Sequence, residues 1–277
     1  VPELPEVETV RRGLVELVQG YTIKSATQFH PRLLKTTSLA PISDLTGAKI
    51  TAIDRRGKFL WFTLNREETL VAHLGMSGQF LIARPDRPDP KHVRARFELQ
   101  RGLRKRELLF VDQRTFGWLS IEPTIDQIPL PARHIALDPF DPHFDKAAVI
   151  AAIKSRKAAI KSVILNQEIM SGVGNIYADE SLWRARIHPE KPAHSLSIRK
   201  ITTLVDAATK VMQEAITVGG TSFDAMYINV NGESGFFEQS LAAYGQTGKP
   251  CPRCGHPINR IAFGNRSSHF CTRCQKK

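Results

Sequence analysis

The sequence predicts an α+β protein of two domains: an N-terminal β-sandwich with a flanking helix, and a C-terminal helical domain with a helix–two-turn–helix and a terminal four-cysteine zinc ribbon. Three observations predict it. Short runs rich in β-branched and aromatic residues follow one another from residue 21 to residue 111, with few helical stretches between them. Beyond residue 146 the apolar spacing becomes that of helices. All four cysteines lie in the last 27 residues, as two Cys-x2-Cys pairs.

The first element is a helix from Pro5 to about Val18. Proline suits a first helical turn, and Glu6 and Glu8 suit the positive end of the helix dipole. Val7, Val10, Leu14 and Leu17 fall on one face, with Arg11 and Arg12 on the other, and Gly20 ends the pattern. Strands are expected over Tyr21–Phe29, Lys49–Arg55, Lys58–Leu64, Thr69–His73, Gln79–Ala83, Val93–Leu99 and Leu108–Val111. Arg84–Pro90 reads as a loop. Prolines at 123, 129, 131, 139 and 142 mark a connector. Helices are expected over Lys146–Lys157, Ala159–Gln167, Ile176–Ala185 and Ser197–Val218. Gly219-Gly220 closes the last, and a polar loop runs to Gly235. The implied divisions are 1–123 for the β-sandwich domain, 124–145 for the linker, 146–240 for the helical domain and 241–277 for the ribbon. No internal repeat is present.

With 277 residues the chain can bury two cores, and 42% hydrophobic with 24% charged residues is ordinary globular composition. No apolar run is long enough to cross a bilayer and no secretion signal is visible, which predicts a cytoplasmic protein without membrane association. The net charge of +12 favours a polyanionic partner, nucleic acid before a membrane surface, because no basic amphipathic helix stands out. Charge for general solubility is the competing explanation.

Cys251-x2-Cys254 and Cys271-x2-Cys274 are separated by sixteen residues. Two knuckles supplying four thiolates predict one structural Zn2+ with no open coordination position, hence no catalytic metal. Paired disulfides are the alternative, disfavoured in a reducing compartment. The ribbon carries Arg253, Arg260, Arg266, Arg273, Lys276 and Lys277 without an Asp or Glu, a surface suited to phosphates.

Other segments are weak singly. Lys58 follows Gly57 at the entry to an apolar strand, where lysine is commonly solvated or guards a sheet edge. Met76 sits in the glycine-flanked turn His73-Leu74-Gly75-Met76-Ser77-Gly78, where packing is the ordinary role of methionine. Arg114 and Phe116 lie two apart in a turn after a strand. Together, a Met, an Arg and a Phe on loops of a basic protein suit an enzyme that extrudes a base and must fill the gap. Gly172-Val173-Gly174-Asn175 opens a helix whose N–H groups and Asn175 amide could hold a phosphate; an ordinary helical hairpin is the alternative. The chain opens Val1-Pro2-Glu3-Leu4-Pro5-Glu6-Val7-Glu8. These residues read as a helix start with acidic decoration or as a proline amine with a carboxylate beside it to move protons. While Val1 is attached, the Pro2 nitrogen is a tertiary amide and no nucleophile.

Pro2–Glu8, Arg56-Gly57-Lys58, His73–Gly78, Gly172–Tyr177 and the zinc ribbon, in this order over essentially the whole chain, resemble the formamidopyrimidine-DNA glycosylase family. The endonuclease VIII branch shares the proline, the helix–two-turn–helix and the ribbon, but Leu4 and the Arg114/Phe116 pair resemble the formamidopyrimidine branch. The resemblance implies a bifunctional glycosylase and abasic-site lyase of base excision repair, acting on oxidised purines in damaged double-stranded DNA. It implies that Val1 stands at the initiator position and is removed, leaving the Pro2 amine to form a Schiff base with the sugar, followed by β,δ-elimination. Glu3, Lys58 and Arg266 would join Pro2 as catalytic residues, with Glu6 positioning the N-terminus. His73, Met76, His92, Arg114, Phe116, Lys157 and Asn175 would contact DNA lying between the halves, although Arg156 and Lys161 compete with Lys157. The loop Thr221–Gly235 would cap the lesion. A monomer of the bacterial cytoplasm, at the nucleoid through its DNA, is expected. The alternatives are an endonuclease VIII-like enzyme for oxidised pyrimidines and a non-catalytic zinc-stapled DNA-binding protein.

Overall fold

The computed structural model describes every residue except Val1, Thr36, Pro85, Arg87, 221–229 and 231–239. The chain divides into two compact units, Val1–His134 with Gly219–Gly235, and Ile135–Val218 with Phe236–Lys277.

The first unit is a helix on a β-sandwich. Helix α1 spans Leu4–Val18 and has Pro5 in its first turn. Glu3 and Glu6 close a capping box, with the Glu3 N–H donating to Glu6 Oε2 at 2.8 Å. Val7, Val10, Leu14 and Val18 are buried, whereas Leu17 is only half-buried against the same core. Nine strands follow: β1 Thr22–Gln28, β2 Ile50–Arg56, β3 Phe59–Leu64, β4 Glu68–His73, β5 Gly78–Ile82, β6 Val93–Arg101, β7 Arg104–Asp112, β8 Trp118–Ile125 and β9 Ile128–Pro129. They form one sheet of order β1-β6-β7-β5 and another of order β2-β3-β4-β8-β9, antiparallel at each pairing. Alternate residues of both sheets point inward and meet in one aromatic core, where Phe62 of β3 packs edge-on to Phe80 of β5 at 5.4 Å.

All seven expected strands are present, together with β8 and β9, which the sequence reading missed. Pro123, expected to stand at the start of the connector, instead lies in β8 opposite Glu68, the first residue of β4, and from Thr124 onward β8 pairs with β9. A proline costs little where one ladder is ending.

In the second unit, α2 spans Lys146–Lys154, α3 Ile160–Ile164, α4 Asn175–Ala185 and α5 Ile198–Thr217. Asp145 and Ser197 cap α2 and α5 by accepting from the N–H groups of Ala148 and Lys200. Helix α3 is shorter than the expected Ala159–Gln167. Gln167 leaves the helix to staple the glycine-rich turn: its amide donates to the Val173 carbonyl at 2.9 Å and accepts from the Gly172 N–H at 2.9 Å. The ribbon is a hairpin of β10 Ile258–Phe263 and β11 Arg266–Cys271 around Gly264-Asn265, and β11 packs on α4. No described helix is long and apolar enough to cross a membrane.

Candidate functional site

The N-terminus enters the fold through buried carboxylates. Glu3 and Glu6 are each 2% exposed. Gly220, at φ +82°, lies so close to Glu6 that a Cβ there would stand 3.0 Å from Oε1, so a side chain at this position would strain the backbone and press on the Glu6 carboxylate. Glu8, read from sequence as acidic decoration, is an ion-pair hub. It accepts from Arg11, Arg12 and, at 2.8 Å, Arg55 of β2, which ties α1 to the sheet. Burial alone would raise its pKa, but the Arg11 hydrogen bond, the Arg55 charge and Arg12 together bring it down to about 2.

Lys58 occupies the β2–β3 turn after Gly57, whose φ is +55°. His73 ends β4, and its Nδ1 accepts from the Gly75 N–H at 3.1 Å. Burial first, then the charges of Lys58 and Lys35, push its pKa down to about 4. It is therefore a neutral imidazole at physiological pH.

Met76, Arg114 and Phe116 are brought together. Gly75 has φ +60°, and a Cβ there would lie 2.4 Å from the Phe116 carbonyl carbon, so the Met76 turn rests directly on the Arg114–Phe116 turn. Met76 and Phe116 are exposed, and the Arg114 guanidinium lies 5.0 Å over the Phe116 ring. Asp112, fully buried, holds both turns: it accepts from Ser77 Oγ at 2.5 Å, from the Arg114 N–H at 3.1 Å and from the Gly117 N–H at 2.7 Å. Thr115 at φ +55° and His92 at φ +68° adopt backbone conformations unusual outside glycine, with the His92 carbonyl accepting from the Asp112 N–H. The sequence reading missed Asp112 as the organiser; its only signal was an acid between a strand and an Arg-x-Phe turn.

In the second unit, Asn175 and Arg266 line one cleft of about 500 Å³ with Tyr244, Arg260, Ser267 and His269. Asn175 Oδ1 is buried without a partner among the described residues. Two adjacent carboxylates of α4 fix the walls of this cleft. Asp179 accepts from Ser268 Oγ at 3.0 Å and from the His269 N–H at 2.8 Å, and pairs with Lys161 at 2.6 Å. Lys161 in turn donates to the Ser267 carbonyl at 2.8 Å, next to Arg266. Glu180 accepts from the N–H groups of Ala242, Ala243 and Tyr244. Burial raises its pKa, an effect these N–H groups partly offset. Lys161 is completely buried and cannot reach a ligand, whereas Arg156 and Lys157 are exposed in the α2–α3 turn. Tyr244 was not foreseen, and nothing in its local sequence signals it.

The four cysteines place their sulfurs within 4.8 Å of one another. Trp183 Nε1 of α4 donates to Cys251 Sγ at 3.3 Å, a hydrogen bond that suits a thiolate, and Arg253 covers the same indole at 4.1 Å. Four converging soft donors fit one tetrahedral zinc ion with no open position. Its work is to fold the ribbon.

The chain matches three family models: the formamidopyrimidine-DNA glycosylase N-terminal domain over residues 1–119, the H2TH domain of the same glycosylase over 135–226, and a zinc finger found in FPG and IleRS over 248–277. A formamidopyrimidine-DNA glycosylase of Nocardioides is 50% identical over 278 residues, covering 99% of this chain and 94% of the relative. The crystal structure of MutM (Fpg) from Thermus thermophilus is 38% identical with a TM-score of 0.87, covering 100% of this chain and 99% of that one. A Lactococcus lactis FPG variant in complex with Fapy-dG-containing DNA is 36% identical with a TM-score of 0.89, and each chain covers 100% of the other. With all three modules matched in order and half of the residues shared along the full length, the chain belongs to the formamidopyrimidine-DNA glycosylase family.

Proposed function

We propose that this chain removes oxidised purines, 8-oxoguanine and formamidopyrimidines, from double-stranded DNA and then cuts the strand at the abasic site, in base excision repair. The observation that carries the reading is the contact of the Met76 turn with the Arg114–Phe116 turn. It offers two apolar wedges and a guanidinium at one place, as extrusion of a base requires.

With residue 1 removed, Pro2 is a secondary amine, and an α-amino group of pKa near 8 is roughly one-tenth unprotonated at neutral pH. Its nitrogen attacks C1′ of the damaged nucleotide as the bond from C1′ to the base breaks and the base leaves with a proton. Glu3 protonates the ring oxygen, so the sugar opens to a cationic iminium. Loss of a C2′ proton expels the 3′ phosphate, and a second elimination expels the 5′ phosphate. Lys58 assists sugar protonation and contacts a phosphate. Arg266 holds the phosphate of the flipped nucleotide and assists elimination, alongside Asn175 in the same cleft. His73, His92 and Lys157 contact the DNA backbone, and Met76, Arg114 and Phe116 replace the extruded base. The loop Thr221–Gly235, which apart from Val230 lies outside the described residues, caps the lesion.

We assign catalysis to the N-terminal part, expected over residues 1–123 and extended through Pro129 by the β8–β9 ladder, and phosphate binding to the helical part, 146–240, and the ribbon, 241–277. A monomer of the bacterial cytoplasm is the corresponding assembly and place. Excision from duplexes carrying 8-oxoguanine opposite cytosine, compared with thymine glycol duplexes, tests the substrate class. Faster release of 8-oxoguanine is expected; preference for thymine glycol would move the chain to the oxidised-pyrimidine branch.

A further inference from the structure

The register of the second sheet places three aromatic rings in one cross-strand row. Phe59 of β3 lies directly opposite His73 of β4, and His73 directly opposite Trp118 of β8. Trp118 and His73 are parallel, with 9° between their planes and 5.7 Å between centroids, and Phe59 meets His73 edge-on at 5.2 Å. Lys35 places its ammonium 4.0 Å over the Trp118 ring. Because Nδ1 accepts the Gly75 N–H, the proton of the neutral ring belongs on Nε2.

We propose that Trp118 is a positioning residue for His73: its indole holds the imidazole in the plane in which Nδ1 keeps the Gly75 N–H, so that Nε2–H meets a DNA phosphate oxygen from a fixed direction. This rests on the reading of His73 as a phosphate contact. Trp118 follows Phe116 by two residues, so one strand end carries both the wedge and the plate behind the phosphate donor.

The row also sets the charge of the donor. The charged and titratable groups around it are Lys58 in the turn before β3, Lys35 on the Trp118 ring, and His134, whose ring stands 6.3 Å from that of Phe59. An open histidine would titrate near neutrality and bind phosphate with a strength that followed pH. Enclosed by Trp118 and Phe59 and faced by two lysines, His73 titrates at about 4 and stays a neutral hydrogen-bond donor through the physiological range.

The test is nitrogen-resolved NMR of His73 in the zinc-loaded full chain as wild type, W118F and W118A, with lesion-duplex affinity measured from about pH 5.5 to 8. Wild type should show a single Nε2–H tautomer and no titration above about pH 5, and W118F should retain both. In W118A the imidazole should titrate closer to its ordinary value of 6.5. Its affinity at pH 8 should fall about threefold to tenfold, the scale of one lost aromatic pair. That loss should shrink as pH falls, because the newly formed imidazolium adds charge attraction to the phosphate. A W118A protein whose His73 keeps the wild-type tautomer and titration overturns the positioning role. Wild-type duplex affinity in H73Q overturns the phosphate contact itself, a separate failure.

Discussion

Glu8 shows how one buried carboxylate fixes the start of the chain to the sheet. Its carboxylate gathers Arg11, Arg12 and Arg55, and so clamps the helix that carries Pro2 and Glu3 onto β2. A carboxyl held at about 2 in the fold and near 4.5 when unfolded contributes stability fully present above pH 4.5 and lost as pH falls toward 2. At neutral pH that contribution is on the order of 3 kcal/mol. E8Q should therefore unfold at lower denaturant than wild type at pH 7, and the gap should close near pH 2; a gap independent of pH would show that the loss comes from packing instead. Glu3 makes a second point at this scale. The two readings of the first residues, helix start and proton donor, are compatible, because the capping box that starts α1 also fixes the backbone beside Pro2.

At the scale of elements, turns are held by partners that sequence periodicity does not reveal. Gly75 admits the contact that unites the Met76 and Arg114–Phe116 turns. G75A must both abandon φ +60° and push Phe116 away. Excision of 8-oxoguanine should fall at least about fivefold, if the displacement costs the ~1–3 kcal/mol typical of strained backbone, while cleavage of a preformed abasic site falls less. Equal losses on both substrates would detach the wedge from base extrusion. The Lys161–Asp179 pair acts similarly on β11: removing one partner strands a buried charge, at a cost of about 3–5 kcal/mol. K161M should lower thermal stability and weaken lesion-duplex binding through Arg266. The doubly apolar K161M/D179L variant should recover stability more than binding, since Ser268 and His269 lose their acceptor. Recovery of both together would make the pair purely structural.

For the molecule as a whole, much was legible before any coordinates. Alternation and helical spacing located seven strands and the helices, because each buries one face of a regular period. The cysteine pairs announced the ribbon through metal-ligand spacing alone. What stayed hidden depended on contacts distant in sequence: β8 behind Pro123, the Asp112 hub, Glu180 holding Tyr244, and the burial of Lys161, which looks like any basic surface residue until Asp179 is found beside it. Zinc belongs to this scale. Chelation, or C271S, should release the hairpin that carries Arg260 and Arg266 and weaken lesion-duplex binding with a shallower salt dependence, since fewer phosphates are neutralised. Unchanged affinity after verified zinc loss would remove the ribbon from the interface.

The proposed chemistry turns on the Pro2 amine as nucleophile. Borohydride reduction during reaction with an 8-oxoguanine duplex, followed by peptide mapping of the cross-link, tests it most directly. A covalent adduct is expected on a chain that starts at Pro2, and none when residue 1 is retained. An adduct at Lys58, or none from a chain verified to start at Pro2, would contradict it.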